Sequence, residues 1–310
     1  MLLWTSLFGL VGYLFIVYII NYIIYYIYYL LFIIKHMNSE ILNLLKYHKS
    51  ISLDKKFSLF ENLEEIPKII HISWKSKDIL NSNNPMIING ILSMKNINPD
   101  YDLQISDDND VENYIRSHIP PTDFENIKNK HIVEKVDLWR LLKMYHEGGI
   151  YVDIDRYCNI PFKDIITKPT TRCVLPTCRD LNFSQDIMIS CKGNPIHYNA
   201  ISMNLKRRQK NPNSDIYFLG PTTYMNAVTF TLYGVMYKEE LPPVLFNFLR
   251  EQLNKSKYFQ SFREDGGGCD GFHRTILYDH SLTENKMNYN GSVSKKLFYN
   301  EHSVKTWGEV

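Results

Sequence analysis

The stretch Lys135–Cys158, KVDLWRLLKMYHEGGIYVDIDRYC, constrains this chain more than any other. Val136, Leu138, Trp139, Leu142, Met144 and Tyr145 recur at helical spacing. Gly148 and Gly149 then stop the helix, since glycine just past a last turn takes the left-handed conformation a helix end needs. Ile150, Tyr151 and Val152 are β-branched or aromatic and favour a strand. That strand runs into Asp153-Ile154-Asp155. Strand side chains alternate faces, so Asp153 and Asp155 point the same way. Two carboxylates aimed at one point repel unless something positive lies between them. A hard divalent cation, Mn²⁺ or Mg²⁺, prefers oxygen ligands and fills its remaining positions with waters and substrate phosphates. The pattern therefore suggests a metal-bound diphosphate. By itself an Asp-x-Asp is weak, because most lie in solvated turns.

In its context the motif is more specific. Asp137-Leu138-Trp139-Arg140, Gly148-Gly149-Ile150-Tyr151 and Asp153-x-Asp155 together resemble glycosyltransferase family 32, the DXD-containing group with Och1-like and inositol-phosphoceramide mannosyltransferases. The resemblance extends over most of the chain after Ile66. It begins with Ile66-Pro67-Lys68-Ile69-Ile70-His71-Ile72-Ser73-Trp74, like the family's opening strand. It implies that Trp74 stacks on the nucleotide base, with a core tryptophan as the plain reading. It implies that Asp137 and Arg140 hold the donor sugar's hydroxyls; on an ordinary helix this pair, three apart, is a surface ion pair of small value. It further implies Tyr151 beside the nucleotide, Asp155 as direct metal ligand, and Asp153 on the ribose or sugar or on the metal through water.

Further along, Gln185-Asp186 replaces the family's Asn pair and Asn194 stands where His is usual, so the catalytic role carried over to Asp186 competes with a structural one. Leu219-Gly220-Pro221 matches a Thr-Gly-Pro element, where Gly220 lets backbone approach a ligand. The C-terminal His302, Lys305, Thr306 and Trp307 fit a tail that closes over the donor, His302 as a metal ligand and the others on the diphosphate. Lys206-Arg207-Arg208-Gln209-Lys210 reads as a solvated helix end. The acidic run Asp107–Asp110 reads as a turn or helix cap. Gly266–Gly268 lacks the spacing and Lys-Ser/Thr ending of a phosphate loop.

Leu2 to Ile34 contains no charged residue and exceeds the ~20 residues that span a bilayer. It lacks the basic start and short apolar core of a signal peptide, and reads as a transmembrane helix. Lys35, Lys46, Lys49, Lys55 and Lys56 follow it, which places that side in the cytoplasm by charge, whereas the resemblance places the catalytic domain in the lumen of a Golgi or ER-type membrane. The expectation adopted is lumenal. The formal net charge of +2 gives no reason to propose nucleic acid as partner. Five cysteines without a C-x-x-C make neither a disulfide framework nor a zinc signature; buried thiols are expected, with a Cys173–Cys178 bridge as the alternative.

The expected organisation is an anchor over 1–34, a stem over 35–65 and one catalytic domain over 66–310. The fold class is α/β, a GT-A-like sandwich on a Rossmann-type nucleotide-binding half. The implied reaction is metal-dependent transfer of a hexose from a nucleotide sugar, GDP-mannose or a UDP-hexose, to a glycan or glycolipid hydroxyl, with retention. Two rivals are a non-catalytic membrane-anchored subunit and a catalytic subunit silent without its partner. A phosphohydrolase using Asp-x-Asp needs Thr or Val two residues after the second Asp; Tyr157 stands there.

Overall fold

The computed structural model describes residues 57–81, 85–154, 156–158, 161–177, 183, 185–234, 249, 251–263 and 277–279. The expected anchor, most of the stem, Cys178 and the C-terminal tail lie outside them. Among the described residues no helix is long and apolar enough to cross a membrane.

In chain order the elements are β1 (Ile69–Ser73), α1 (Pro85–Ile97), β2 (Asp102–Ser106), α2 (Asp108–His118), α3 (Pro121–Glu125), α4 (Ile132–His146), β3 (Gly149–Val152), β4 (Arg156–Cys158), α5 (Phe162–Ile165), β5 (Cys173–Thr177), β6 (Ile187–Ser190), α6 (Pro195–Lys210), α7 (Ile216–Leu219), α8 (Pro221–Tyr233), β7 (Phe259–Arg263) and β8 (Leu277–Asp279). Six strands form one mixed sheet in the order β2-β1-β3-β6-β5-β7, and β4 pairs with β8 apart from it. β1 runs parallel to both β2 and β3, whereas β6 is antiparallel to β3 and β5. The parallel half is made by two crossovers, one through α1 and one through α2 to α4. The first leads from β1 to β2 and the second from β2 back past β1 to β3, so the direction of winding reverses at β1. In open α/β sheets the ligand crevice lies outside the carboxyl ends of the strands at such a reversal. The ends of β1 and β3 are therefore where a site is expected.

Alternation fixes the layers. Ile70, Ile72, Ile150, Val152, Ile187 and Ile189 share a buried cluster with Ile91 and Met94 of α1. Their neighbours His71 and Tyr151 are also buried, and Tyr151 meets Trp139 of α4 edge-on at 6.1 Å. With both faces covered, β3 and β6 are apolar throughout rather than alternating.

The acidic run caps a helix: Asp107 accepts from the Asp110 amide at 2.9 Å, and the Asp110 carboxylate accepts from the Asp107 amide at 3.1 Å. Gly148 and Gly149 have φ of +70° and +98°. A Cβ on Gly149 would stand 2.6 Å from the Ile69 carbonyl, so the turn needs glycine for space as well as conformation. Cys173 and Cys191 are buried free thiols. In the basic run on α6, Lys206, Gln209 and Lys210 are exposed, as expected of a solvated helix end, but Arg207 and Arg208 depart from it. Arg208 is buried, bonded to Glu134 at 2.8 Å and to Asn204 at 2.9 Å, while Arg207 lies 3.9 Å over the Phe218 ring. These arginines pin α6 to α4 and α7, because a buried guanidinium needs a fork of acceptors.

Candidate active site

One guanidinium gathers the site at the carboxyl ends of the parallel strands. Because only Glu147 and Gly148 separate α4 from β3, the helix doubles back and its first half lies over the strand's end. Asp137 and Arg140 share the helix face turned to that end. Arg140 Nη2 lies 2.7 Å from Asp137 Oδ1, and Nη1 donates to the Gln185 carbonyl at 2.9 Å. The same Nη1 is 3.5 Å from Asp153 Oδ1, and the guanidinium lies 4.7 Å over the Tyr151 ring. Tyr151 donates its hydroxyl to Asp153 Oδ1 at 2.5 Å, and the Asp153 amide donates to the Asp186 carbonyl at 2.8 Å. Helix α4, strand β3 and the segment entering β6 are thus locked together.

The electrostatics follow from burial. Asp137 is 2% exposed. Desolvation pushes its pKa up to about 6, with the Arg140 charge opposing and the Asp153 charge adding to the rise. Tyr151 is held well above its ordinary value, again chiefly by burial. Asp137 Oδ2 has no hydrogen-bond partner among the described residues. Backbone covers it instead: a Cβ on Gly220 would stand 2.5 Å from this oxygen. Gly220→Ala is therefore expected to displace the carboxylate from Arg140 and cost about 1–3 kcal/mol of stability by overpacking. Urea unfolding measures it, and an unchanged midpoint would contradict the close approach.

The structure thus brings Asp137, Arg140, Tyr151, Asp153, Gly220 and the Asp186 backbone to one place. Trp74 follows β1 directly, 8% exposed and packed in the core cluster, with its amide donating to Ser106. Asp155, His302, Lys305, Thr306 and Trp307 lie outside the described residues. Among the described residues no three His, Cys, Asp or Glu side chains are grouped to hold a metal. Asp153 fits a supporting part: one oxygen is engaged by Tyr151 and approached by Arg140, yet 29% of the side chain remains exposed. That suits a hard cation that keeps several waters.

The sequence reading gave no role to Gln185, whose carbonyl anchors Arg140; the only signal was its departure from the family's Asn pair. It also passed over His197, fully buried on α6 with neither ring nitrogen partnered among the described residues.

Residues 85–171, which include the helix, the double glycine and the Asp-x-Asp, match a glycosyltransferase sugar-binding region containing a DXD motif. The chain also resembles curated proteins. Inositol phosphoceramide mannosyltransferase 2 of Schizosaccharomyces pombe is 26% identical over 203 residues, 63% of this chain and 54% of that protein. Inositol phosphoceramide mannosyltransferase 1 of the same yeast is 28% identical over 147 residues, 45% and 43%. Mannosyl phosphorylinositol ceramide synthase SUR1 of Saccharomyces cerevisiae is 27% identical over 176 residues, 56% and 42%. The chain spans about half the length of the curated relatives it matches. A solved structure, PaToxG glycosyltransferase, aligns with a TM-score of 0.42 and 20% identity over 68% of this chain and 86% of that one, a level too low to decide topology.

Proposed function

We propose that this chain is a divalent-metal-dependent glycosyltransferase that moves a hexose from a nucleotide sugar to a hydroxyl of a glycolipid or glycan. The observation that carries the reading is the Asp137–Arg140–Asp153 cluster, buried at the carboxyl ends of β1 and β3 inside the DXD region. The relatives' names make mannose the first donor sugar to test and an inositol-phosphoceramide headgroup the first acceptor. The fold fits a GT-A-like arrangement in its parallel half, with the nucleotide along the ends of β1 and β2 near Trp74.

Asp155, with Asp153 through water and His302, would hold Mn²⁺ or Mg²⁺, which when bound neutralises charge on the departing diphosphate. The chain's own residues do the positioning. Arg140 donates to sugar oxygens and Asp137, ionised above about pH 6, accepts from sugar hydroxyls. Tyr151 and the Gln185 carbonyl keep Arg140 in register. As the anomeric carbon–oxygen bond breaks, its electron pair goes to the diphosphate; the acceptor oxygen takes the vacated position on the same face and its proton leaves to the diphosphate oxygen. Fixing the sugar in this geometry converts transfer into an effectively unimolecular step. The N-terminal apolar run would anchor the enzyme by a single pass, with the catalytic domain lumenal.

The test is donor hydrolysis by the full-length protein in detergent, across GDP-mannose, UDP-glucose, UDP-galactose and UDP-N-acetylhexosamines, with Mn²⁺ or EDTA. Turnover of one donor, abolished by EDTA and by Asp155→Ala, is expected. Turnover indifferent to both overturns the metal assignment, and no turnover or binding of any donor overturns the enzyme assignment.

A further inference from the structure

Arg207 carries a charge that no acid among the described residues matches. It lies half-buried near the C-terminal end of α6. Its Nη1 donates to the Phe218 carbonyl at 2.8 Å and to Thr223 Oγ1 at 2.7 Å, and the guanidinium lies 3.9 Å over the Phe218 ring. All of these partners are neutral. Burial lowers its pKa, so the charge is partly stripped of water without being paired. The next residue shows the contrast, since Arg208 has Glu134 at 2.8 Å. A guanidinium fixed in place without a counter-ion is an anion site lacking its anion.

The surroundings say which anion. Lys206 and Lys210 are exposed and four apart, so they share a helix face, and Lys210 is three beyond Arg207. Lys130 donates to Asn213 Oδ1 at 3.0 Å, which sets another cation beside the loop after α6. Against them stands Asp215, exposed, its carboxylate accepting from the Phe218 amide at 3.2 Å. Phe218 itself is 41% exposed. A neutral sugar leaves these cations unmatched, and a free phosphate leaves the ring in water. A phosphate headgroup backed by acyl chains meets both needs, with cations at headgroup level and the ring just beneath. We infer that this edge, the C-terminal end of α6 with α7, docks on an anionic lipid surface, Arg207, Lys206 and Lys210 meeting headgroup phosphates and Phe218 the acyl boundary. The expected anchor over 1–34 would hold the edge at high effective concentration against a bilayer, which favours lipid over an acidic peptide in solution. The inference is independent of the metal and donor assignments.

Hydrogen exchange of the full-length protein in lipid nanodiscs tests it, read over residues 206–219. Discs of phosphatidylcholine alone are compared with discs that also contain phosphatidylinositol, at low and high salt. Wild-type exchange is expected to be about tenfold slower in the anionic discs at low salt and to return to the phosphatidylcholine rate at high salt. Lys206→Gln and Lys210→Gln are each expected to reduce the docked population about fivefold. Phe218→Ser, which removes the ring but no charge, is expected to weaken docking while leaving its salt dependence unchanged. Arg207→Gln strips helix contacts as well as charge, so the two exposed lysines carry the test. Equal exchange in the two kinds of disc overturns the inference, as does slowing that survives in the Lys206→Gln/Lys210→Gln double variant. The same slowing produced by inorganic phosphate or polyglutamate in phosphatidylcholine discs shows a site for soluble anions and overturns the lipid assignment.

Discussion

Arg140→Leu is expected to abolish sugar transfer and to destabilise the fold by about 3–5 kcal/mol, because it strands a buried carboxylate. The size follows from how many groups depend on the guanidinium. Asp137 loses its ion pair, Asp153 loses a neighbouring charge and the Gln185 carbonyl loses its donor. Arg140→Lys keeps the charge but cannot reach two directions as a fork, and is expected to lose about 100-fold in kcat/KM with less loss of stability. Donor-hydrolysis kinetics paired with urea unfolding read both. An Arg140→Leu protein with wild-type kcat/KM would contradict the assignment of the cluster to the reacting sugar, whatever its stability.

The second large effect is on stability against acid. His197 is 0% exposed, has no partner on either nitrogen among the described residues, and lies parallel to Tyr224 with centroids 6.0 Å apart. Burial lowers its pKa from 6.5 to about 3. Above pH 6.5 the ring is neutral in both folded and unfolded chains and has no proton-linked effect. As pH falls below 6.5 the unfolded chain takes up a proton that the folded chain refuses until about pH 3. Stability is therefore lost progressively across that window, by about 2 kcal/mol at pH 5. His197→Phe fills similar space, keeps the stack and gives up no hydrogen bond. The stability difference between His197→Phe and wild type should shift in the variant's favour by about 2 kcal/mol between pH 7.5 and pH 5. Denaturant unfolding at the two values measures it, and equal pH dependence of both proteins would show that the imidazole is solvated.

These two residues also mark how far the sequence could be read. Arg140 was legible because local rules govern it: helical period, the double-glycine stop, and a three-residue offset that puts it beside Asp137. The strand after the glycines was legible for the same reason. The start of α4 was not, since His131 caps it, accepting from the Val133 amide at 3.3 Å, and histidine is an unusual cap. Arg208 was read as solvated because its burial depends on Glu134, which no local pattern links to it. The antiparallel placement of β6 between β3 and β5 is likewise a matter of long-range pairing. Gln185 and His197 escaped notice because an unpartnered buried group is invisible until the surrounding elements are in place. Asp153 illustrates the intermediate case: its position directly after β3 was foreseen, but its engagement by Tyr151 and its approach to Arg140 were not.

The account stands on a single arrangement, a cation and a hexose brought together where β1 and β3 end. Anomalous diffraction from crystals of the protein soaked with Mn²⁺ and a non-hydrolysable nucleotide sugar tests it most directly. The predicted result is a manganese peak in the first coordination sphere of an Asp155 oxygen, bridged to the diphosphate, with the sugar hydroxyls against Asp137 and Arg140. A peak elsewhere on the molecule, or a sugar turned away from Arg140 into solvent, would contradict it.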